Sequence, residues 1–334
     1  MKLSQTRSGR TGPKTPAKPA IGITRRTLIG GASIAPLLPF LSRAMPARAA
    51  ATGVTEIAPG IFVHQGTHAL VGRENAGDIA NASFVVGSDA VAVIDTSSSF
   101  KLGSALRQAI SAVTQKPVRY VINTHMHPDH VLGNAAFIAD RPEYIAHHKM
   151  ARGLSARADR YLRNAREALG DDLFDGTTIV MPTKAVEDML SLDLGGRTLA
   201  LRARPTAHTD NDLTIADSAT GTLFLGDLLF SGHLPTLDGS ILGWLKLITL
   251  LKDEKAARVV PGHGAPSLPW PDAILPEERY LQKVADDVRA EIKAGRTIAE
   301  ASETAGRSEK DNWQLFDEHH IRNVTAAFAE LEWE

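Results

Sequence analysis

Brief apolar runs rich in β-branched residues recur along the chain, each closed by polar or turn-forming residues, and they predict strands. Residues 90–94 form one such run and end at Asp95; residues 118–123 form a second, with Pro128 in the loop that follows. Residues 213–216 and 222–225 flank Asp217-Ser218-Ala219-Thr220-Gly221 and read as a hairpin. Residues 258–261 make a further short strand. Longer stretches with apolar residues at mixed three- and four-residue steps predict helices over 131–139, 149–169 and 274–294, and one or two more over 302–331. Together these read as α/β, with no internal repeat.

Candidate chemistry sits where the predicted strands end. Thr124-His125-Met126-His127-Pro128-Asp129-His130 offers four potential ligands within six residues. His208 precedes the hairpin, Asp227 closes its second strand, and His263 follows the strand at 258–261. Five imidazoles and two carboxylates match the donors two divalent cations need, zinc first, with iron and manganese behind it. His125 and His127 are two apart and can converge from one side of an extended segment, whereas Asp129 and His130 fall on the turn into a helix and can aim at a second ion. Ligands beyond a strand's carboxyl end occupy the usual site of open α/β sheets. Asp95 reads as a carboxylate that braces the His/Asp loop through hydrogen bonds without touching metal.

Other histidines divide by position. His233, six residues past Asp227, is the expected substrate contact. His64 and His68 lie in an early loop, where surface placement is expected over a place at the pocket mouth. His147-His148 and His319-His320 read as structural or solvent-facing, because adjacent side chains seldom aim at one ion. No Ser or Cys sits in a nucleophile-elbow frame. The expected chemistry is hydrolysis by a hydroxide held between two cations, with Asp129 orienting the attacking oxygen.

Composition changes this picture at the N-terminus. The 334 residues include 43% hydrophobic positions, enough for one large core or a core with a helical appendage. Formal charge is −1, yet residues 1–50 carry nine Lys or Arg and no acid. The remainder holds 28 basic against 38 acidic side chains, near −10, which argues against nucleic acid or an anionic membrane as partner. Thr24-Arg25-Arg26-Thr27-Leu28-Ile29, a short interrupted apolar stretch to Leu41, and Ala47-Arg48-Ala49 form an expected cleavable leader. It resembles a twin-arginine translocation signal, which implies export to the periplasm with no stable membrane anchor. The chain has no cysteine and so no thiol to misoxidise there.

Asp95, His125-x-His127-x-Asp129-His130, His208, Asp227 and His263 resemble, in order, the five motifs of the metallo-β-lactamase superfamily. That resemblance implies an αββα sandwich of two mixed sheets flanked by helices over residues 51–270, with residues 271–334 as C-terminal helices packed on the core. It also implies two Zn2+, one on His125, His127 and His208, the other on Asp129, His130 and His263, with Asp227 between them. The ligand set is closer to glyoxalase II-type hydrolases than to lactamases that use a Cys ligand. Segments 228–235, 237–240, 243–245, 313–323 and 331–334 look like the quinoprotein relay system zinc metallohydrolases, periplasmic relatives that also resemble hydrolases of sulfur-oxidation systems. This narrower likeness implies a quinoprotein dehydrogenase or cytochrome partner, while the hydroxide chemistry points to an ester, thioester or lactone bond in a small-molecule substrate. A mononuclear iron persulfide dioxygenase, a β-lactamase and a non-catalytic metal-binding accessory protein are the alternatives.

Overall fold

The computed structural model describes residues 53–334, so the expected leader lies outside the described residues. Two mixed sheets pack face to face. The first has seven strands in chain order: β1 (Thr55–Ala58), β2 (Ile61–His64), β3 (Ala82–Val86), β4 (Val91–Ile94), β5 (Val118–Ile122), β6 (Glu143–His147) and β7 (Lys184–Val186). Its first four strands pair antiparallel, and β4 through β7 run parallel. The second sheet follows the order β12-β11-β10-β9-β8, built from β8 (Met189–Asp193), β9 (Thr198–Ala203), β10 (Leu213–Asp217), β11 (Thr222–Phe230) and β12 (Arg258–His263). Only its β11–β12 pair is parallel.

Strand alternation sets the layers. In β4, Ala92 and Ile94 join Ile122, Leu201, Ile215 and Phe224 between the sheets. Val91 and Val93 pack on the other side, against Leu106, Ala109 and Ile110 of helix α1 (Phe100–Val113). The outer side of the second sheet, through Leu223, Leu225 and Val259, is covered by α5 (Ile241–Lys252), α6 (Leu275–Lys293), α7 (Ile298–Thr304) and α8 (Phe316–Leu331). Trp244 and Tyr280 are fully buried in that layer, and truncating either to Ala would cost about 3–5 kcal/mol. Among the described residues no helix is long and apolar enough to cross a membrane.

The expected helix over 131–139 is not continuous. A single turn, α2 (Pro128–Val131), gives way to a 3-10 segment at Asn134–Asp140. The break has a cause: the His130 carbonyl accepts from Thr96 N at 2.9 Å, and Gly133 N donates to Ser97 O at 3.0 Å. Backbone groups that would continue the helix are committed to the loop after β4. Gly133 also lies so close to the Thr96 carbonyl that a Cβ there would clash. Nor does Asp227 end its strand, because β11 runs on to Phe230. Its pairing with β12 shifts register between Phe224 and Gly226 and again before Phe230. Gly226, at φ 52°, takes the left-handed turn that a side chain would resist, and this swings Asp227 toward the ligand cluster. The remaining helices are α3 (Met150–Leu169), close to its expected range, and α4 (Asp171–Phe174); the C-terminal stretch divides into α7, a 3-10 turn at Arg307–Asn312 and α8.

Candidate metal centre

The parallel pairs β4–β5 and β11–β12 bring four carboxyl ends to one edge of the sandwich. Two backbone bonds pin the sheets there, Leu213 N to Thr124 O at 2.7 Å and Asn81 N to Gly262 O at 2.7 Å. All seven expected ligands meet at that edge. His125, His127, His208 and Asp227 form one group, and Asp129, His130 and His263 a second. Asp227 links them: its Oδ2 lies 3.6 Å from His125 Nε2, 3.5 Å from His208 Nε2 and 3.4 Å from His263 Nε2, and its Oδ1 is 3.2 Å from His130 Nε2. His263 Nε2 is 3.3 Å from Asp129 Oδ2.

The outer nitrogen of every one of these imidazoles is occupied by a protein acceptor. His130 Nδ1 donates to Asp95 Oδ2 at 2.9 Å, His208 Nδ1 to Thr236 O at 2.6 Å, and His263 Nδ1 to Ile79 O at 2.8 Å. His127 Nε2 donates to Asp238 Oδ2 at 3.1 Å. Thr124 Oγ1 spends its proton on Asp95 at 2.7 Å and so accepts from His125 Nδ1 at 3.0 Å. Carbonyls and carboxylates only accept, so each inner nitrogen is left with a bare lone pair. Moreover His125 Nε2, His130 Nε2 and Asp227 Oδ1 are buried without a hydrogen-bond partner. Buried polar atoms are rarely left so. These atoms converge, His208 Nε2 lying 3.0 Å from His127 Nδ1, and such a cluster is the donor set a divalent cation requires; imidazole with carboxylate suits zinc or iron.

The electrostatics divide the histidines: burial keeps His125 and His208 neutral, whereas on His130 and His263 the neighbouring carboxylates overcome burial and favour the proton. Burial pushes His125 well below its ordinary value and His208 down to about 3. Burial opposes charge on His263 too, but Asp227 and Asp129 push it up to about 9. Burial would raise Asp129, yet His130 and His263 beside it hold it below the usual carboxylate range. Protons and a metal cation compete for these same lone pairs.

Asp95 occupies the place expected of it, with Oδ1 accepting from Thr124 N at 2.8 Å while Oδ2 holds His130. His233 lines the cavity over the centre, stacked between His263 and His319 at ring-centroid distances of 5.1 and 5.3 Å. Burial pushes it down to about 3, and its Nδ1 donates to Leu234 O at 2.7 Å, which leaves Nε2 as an acceptor. One reading needs correction. His319 is not solvent-facing but lines the cavity, because α8 turns that side of its first two turns to the site. His68 is partly exposed; it bonds Gln314 Oε1 at 3.1 Å and meets His233 edge-on at 6.0 Å. His64 stands apart, bonded to Asp78 and Gly53 O. His147 is buried against Arg204 O, His148 is partly exposed, and His320 is buried against Tyr280 and Ala305 O.

The sequence profile of the Metallo-beta-lactamase superfamily matches residues 75–263, from the loop before β3 to the last ligand. The chain belongs to this superfamily. The family match stops at His263, so α6, α7 and α8 lie beyond it. Among curated relatives, the Beta-lactamase-like protein 2 homolog of Caenorhabditis elegans is 25% identical over 270 residues, 78% of this chain and 75% of that one. Among solved structures, a metallo-beta-lactamase from Pontibacter korlensis superposes with a TM-score of 0.56 at 19% identity, covering 69% of this chain and 98% of that one. The metallo-beta-lactamase FIM-1 from Pseudomonas aeruginosa, in its mono-zinc form, gives 0.52 at 19% identity over 69% and 94%. These structures share the fold.

Three contributors to the superfamily site carried no signal in the sequence. Asp238, which holds His127, is 111 residues away from it along the chain. Thr236 acts through its carbonyl, which any residue supplies. Asn323 brackets Thr236 from α8: its Oδ1 accepts from Leu237 N at 2.9 Å, and its Nδ2 donates to Pro235 O at 2.6 Å.

Proposed function

We propose that the chain is a hydrolase that holds two zinc ions and cleaves an ester, thioester or lactone bond. His125, His127 and His208 would hold one ion, Asp129, His130 and His263 the other, and Asp227 would touch both. When bound, such cations supply a water of lowered pKa and an electrophilic contact for the substrate oxygen. Asp129, at the cavity floor, accepts a hydrogen bond from the attacking water and orients it. His233, neutral and with Nε2 open as an acceptor, receives a hydrogen bond from the substrate. Phe230, stacked on His263 with rings 5.0 Å apart, keeps water from that flank. The observation that carries this reading is the set of inward lone pairs, each fixed by an engaged outer nitrogen.

The twin-arginine pattern of the leader supports export to the periplasm, where the enzyme would serve a quinoprotein dehydrogenase system. Metal analysis of purified protein together with a hydrolysis panel of thioesters, lactones, β-lactams and phosphodiesters tests the reading. About two zinc per chain, and turnover abolished in a stably folded His127→Ala variant, are expected. One iron with oxygen uptake would favour the dioxygenase instead, and a biological role intact in His127→Ala would favour an accessory protein.

A further inference from the structure

The cavity above the ligands encloses about 660 Å³, room for a substrate of some tens of atoms. Its lining mixes two chemistries. Ala69, Leu70, Val71 and Ile79 from the loop after β2 are apolar, as are Ala165 and Ala168 of α3. Donors line it as well. Arg160, Tyr161 and Asn164 lie on that same face of α3, at the three- and four-residue spacing that stacks side chains on a helix, and Arg322 comes from α8.

Arg322 already bonds Asp238, whereas Arg160 and Asn164, both exposed, have no protein acceptor. Arg160 has no carboxylate within 4 Å among the described residues, and neither its guanidinium nor the Asn164 amide makes a hydrogen bond there. The Tyr161 ring is buried among Met126, Leu132 and Ala165, yet its hydroxyl has no protein partner. Asp238 is a carboxylate of the same lining, and it is already taken: His127, Arg157 and Arg322 all reach it, at 3.1, 3.6 and 3.1 Å. Two guanidiniums and an imidazole therefore share one acid.

We propose that Arg160, Tyr161, Asn164 and Arg322 form an anion subsite, so that the substrate is an amphiphilic acyl compound. Resting on the hydrolase reading, it would react at the metal centre, lay its apolar part along Leu70, Val71, Ala165 and Ala168, and present a carboxylate or a phosphate monoester to the arginines. Guanidinium, phenol and amide donors together match the oxygens of such a group, whereas a neutral hydroxyl would leave the guanidinium charge unanswered.

Equilibrium binding to the zinc-loaded mature protein tests this, with octanoate, octyl phosphate and octanol as probes in titration calorimetry. One of the two anions is expected to bind at least roughly tenfold more tightly than octanol. The tighter of the two assigns the group as carboxylate or phosphate. Arg160→Gln should weaken that anion roughly tenfold with zinc content unchanged, and Arg160→Lys should restore much of the loss. Equal affinity for octanol and both anions would overturn the proposal. So would an Arg160→Gln variant that binds the anion within twofold of the native protein, since the anion would then be held by the metal alone. Binding through Arg160 in a protein that hydrolyses nothing in the panel would uphold the subsite and defeat only the hydrolase reading.

Discussion

Asn323→Leu separates a residue that merely packs from one that shapes the metal centre. The native amide lies on α8, only 1% exposed, and makes three bonds: from Leu237 N, to Pro235 O and to the Tyr280 hydroxyl at 3.0 Å. The first two straddle Thr236, whose carbonyl orients His208. Tyr280 is held in turn by His320 Nδ1 at 3.0 Å, and His320 Nε2 by Ala305 O at 2.8 Å. Leu conserves volume but offers no polar atom, so two backbone groups and a phenol lose their partner. Each such orphan costs about 1–3 kcal/mol. Relaxation and stray water recover part of this, and a net loss of about 2–4 kcal/mol is expected. A domain with about 5–15 kcal/mol of stability survives that loss and melts several degrees lower. A structural role ends there. The positioning role adds a second effect, because a free Thr236 carbonyl no longer fixes the His208 ring, and lost outer contacts of this kind weaken metal about 10- to 100-fold. Competition against a zinc chelator, read alongside a melting curve, measures both. A variant that melts lower yet holds zinc within twofold of the native protein would refute the reasoning.

Further outcomes follow from the same geometry. Asp95→Asn keeps one acceptor oxygen where Thr124 N, Thr124 Oγ1 and His130 Nδ1 now share two; zinc affinity should fall about 10- to 100-fold, measurable in the same competition. Gly262→Ala would drive a Cβ onto Asp227 Oδ1 and the Gly226 backbone; purified protein should contain less than half the native zinc, and full zinc would show that the strand can shift. Glu277 is buried and accepts from Phe230 N at 2.8 Å, and its burial lifts the carboxyl well above 4.5. The stability it contributes is fully present below the unfolded value near 4.5 and is lost as pH rises through the folded one. Glu277→Gln should therefore remove a stability loss of about 1.4 kcal/mol per pH unit over that window, seen as a flatter fall in melting temperature, and parallel native and variant curves would contradict it.

The ligands were legible because their code is local or nearly so. His125 to His130 lie within six positions, and His208, Asp227 and His263 each follow or close an apolar run whose period marks a strand. Asp95 was readable for the same reason. The helix over 131–139 was misread because its pattern is helical, while the carbonyl of His130 and the amide of Gly133 are claimed by the loop after β4, a partner more than thirty residues away. The path of β11 past Asp227 depends on a register shift against β12, which no pattern within the strand records.

By itself, then, the chain's pattern specifies the α/β class and seven candidate donors, since apolar periodicity and ligand spacing act over a few residues, and the sandwich follows only from the resemblance those motifs carry. What the outer nitrogens of those donors bind was settled only in three dimensions. Asp238, Thr236 and Asn323 reach the centre because α5, α6 and α8 bury a shared apolar face against the second sheet, and that burial carries the loop after β11 under His127 and His208. Hydrophobic burial has no direction of its own, so a sequence shows that these helices must pack but not which polar atoms the packing will bring together.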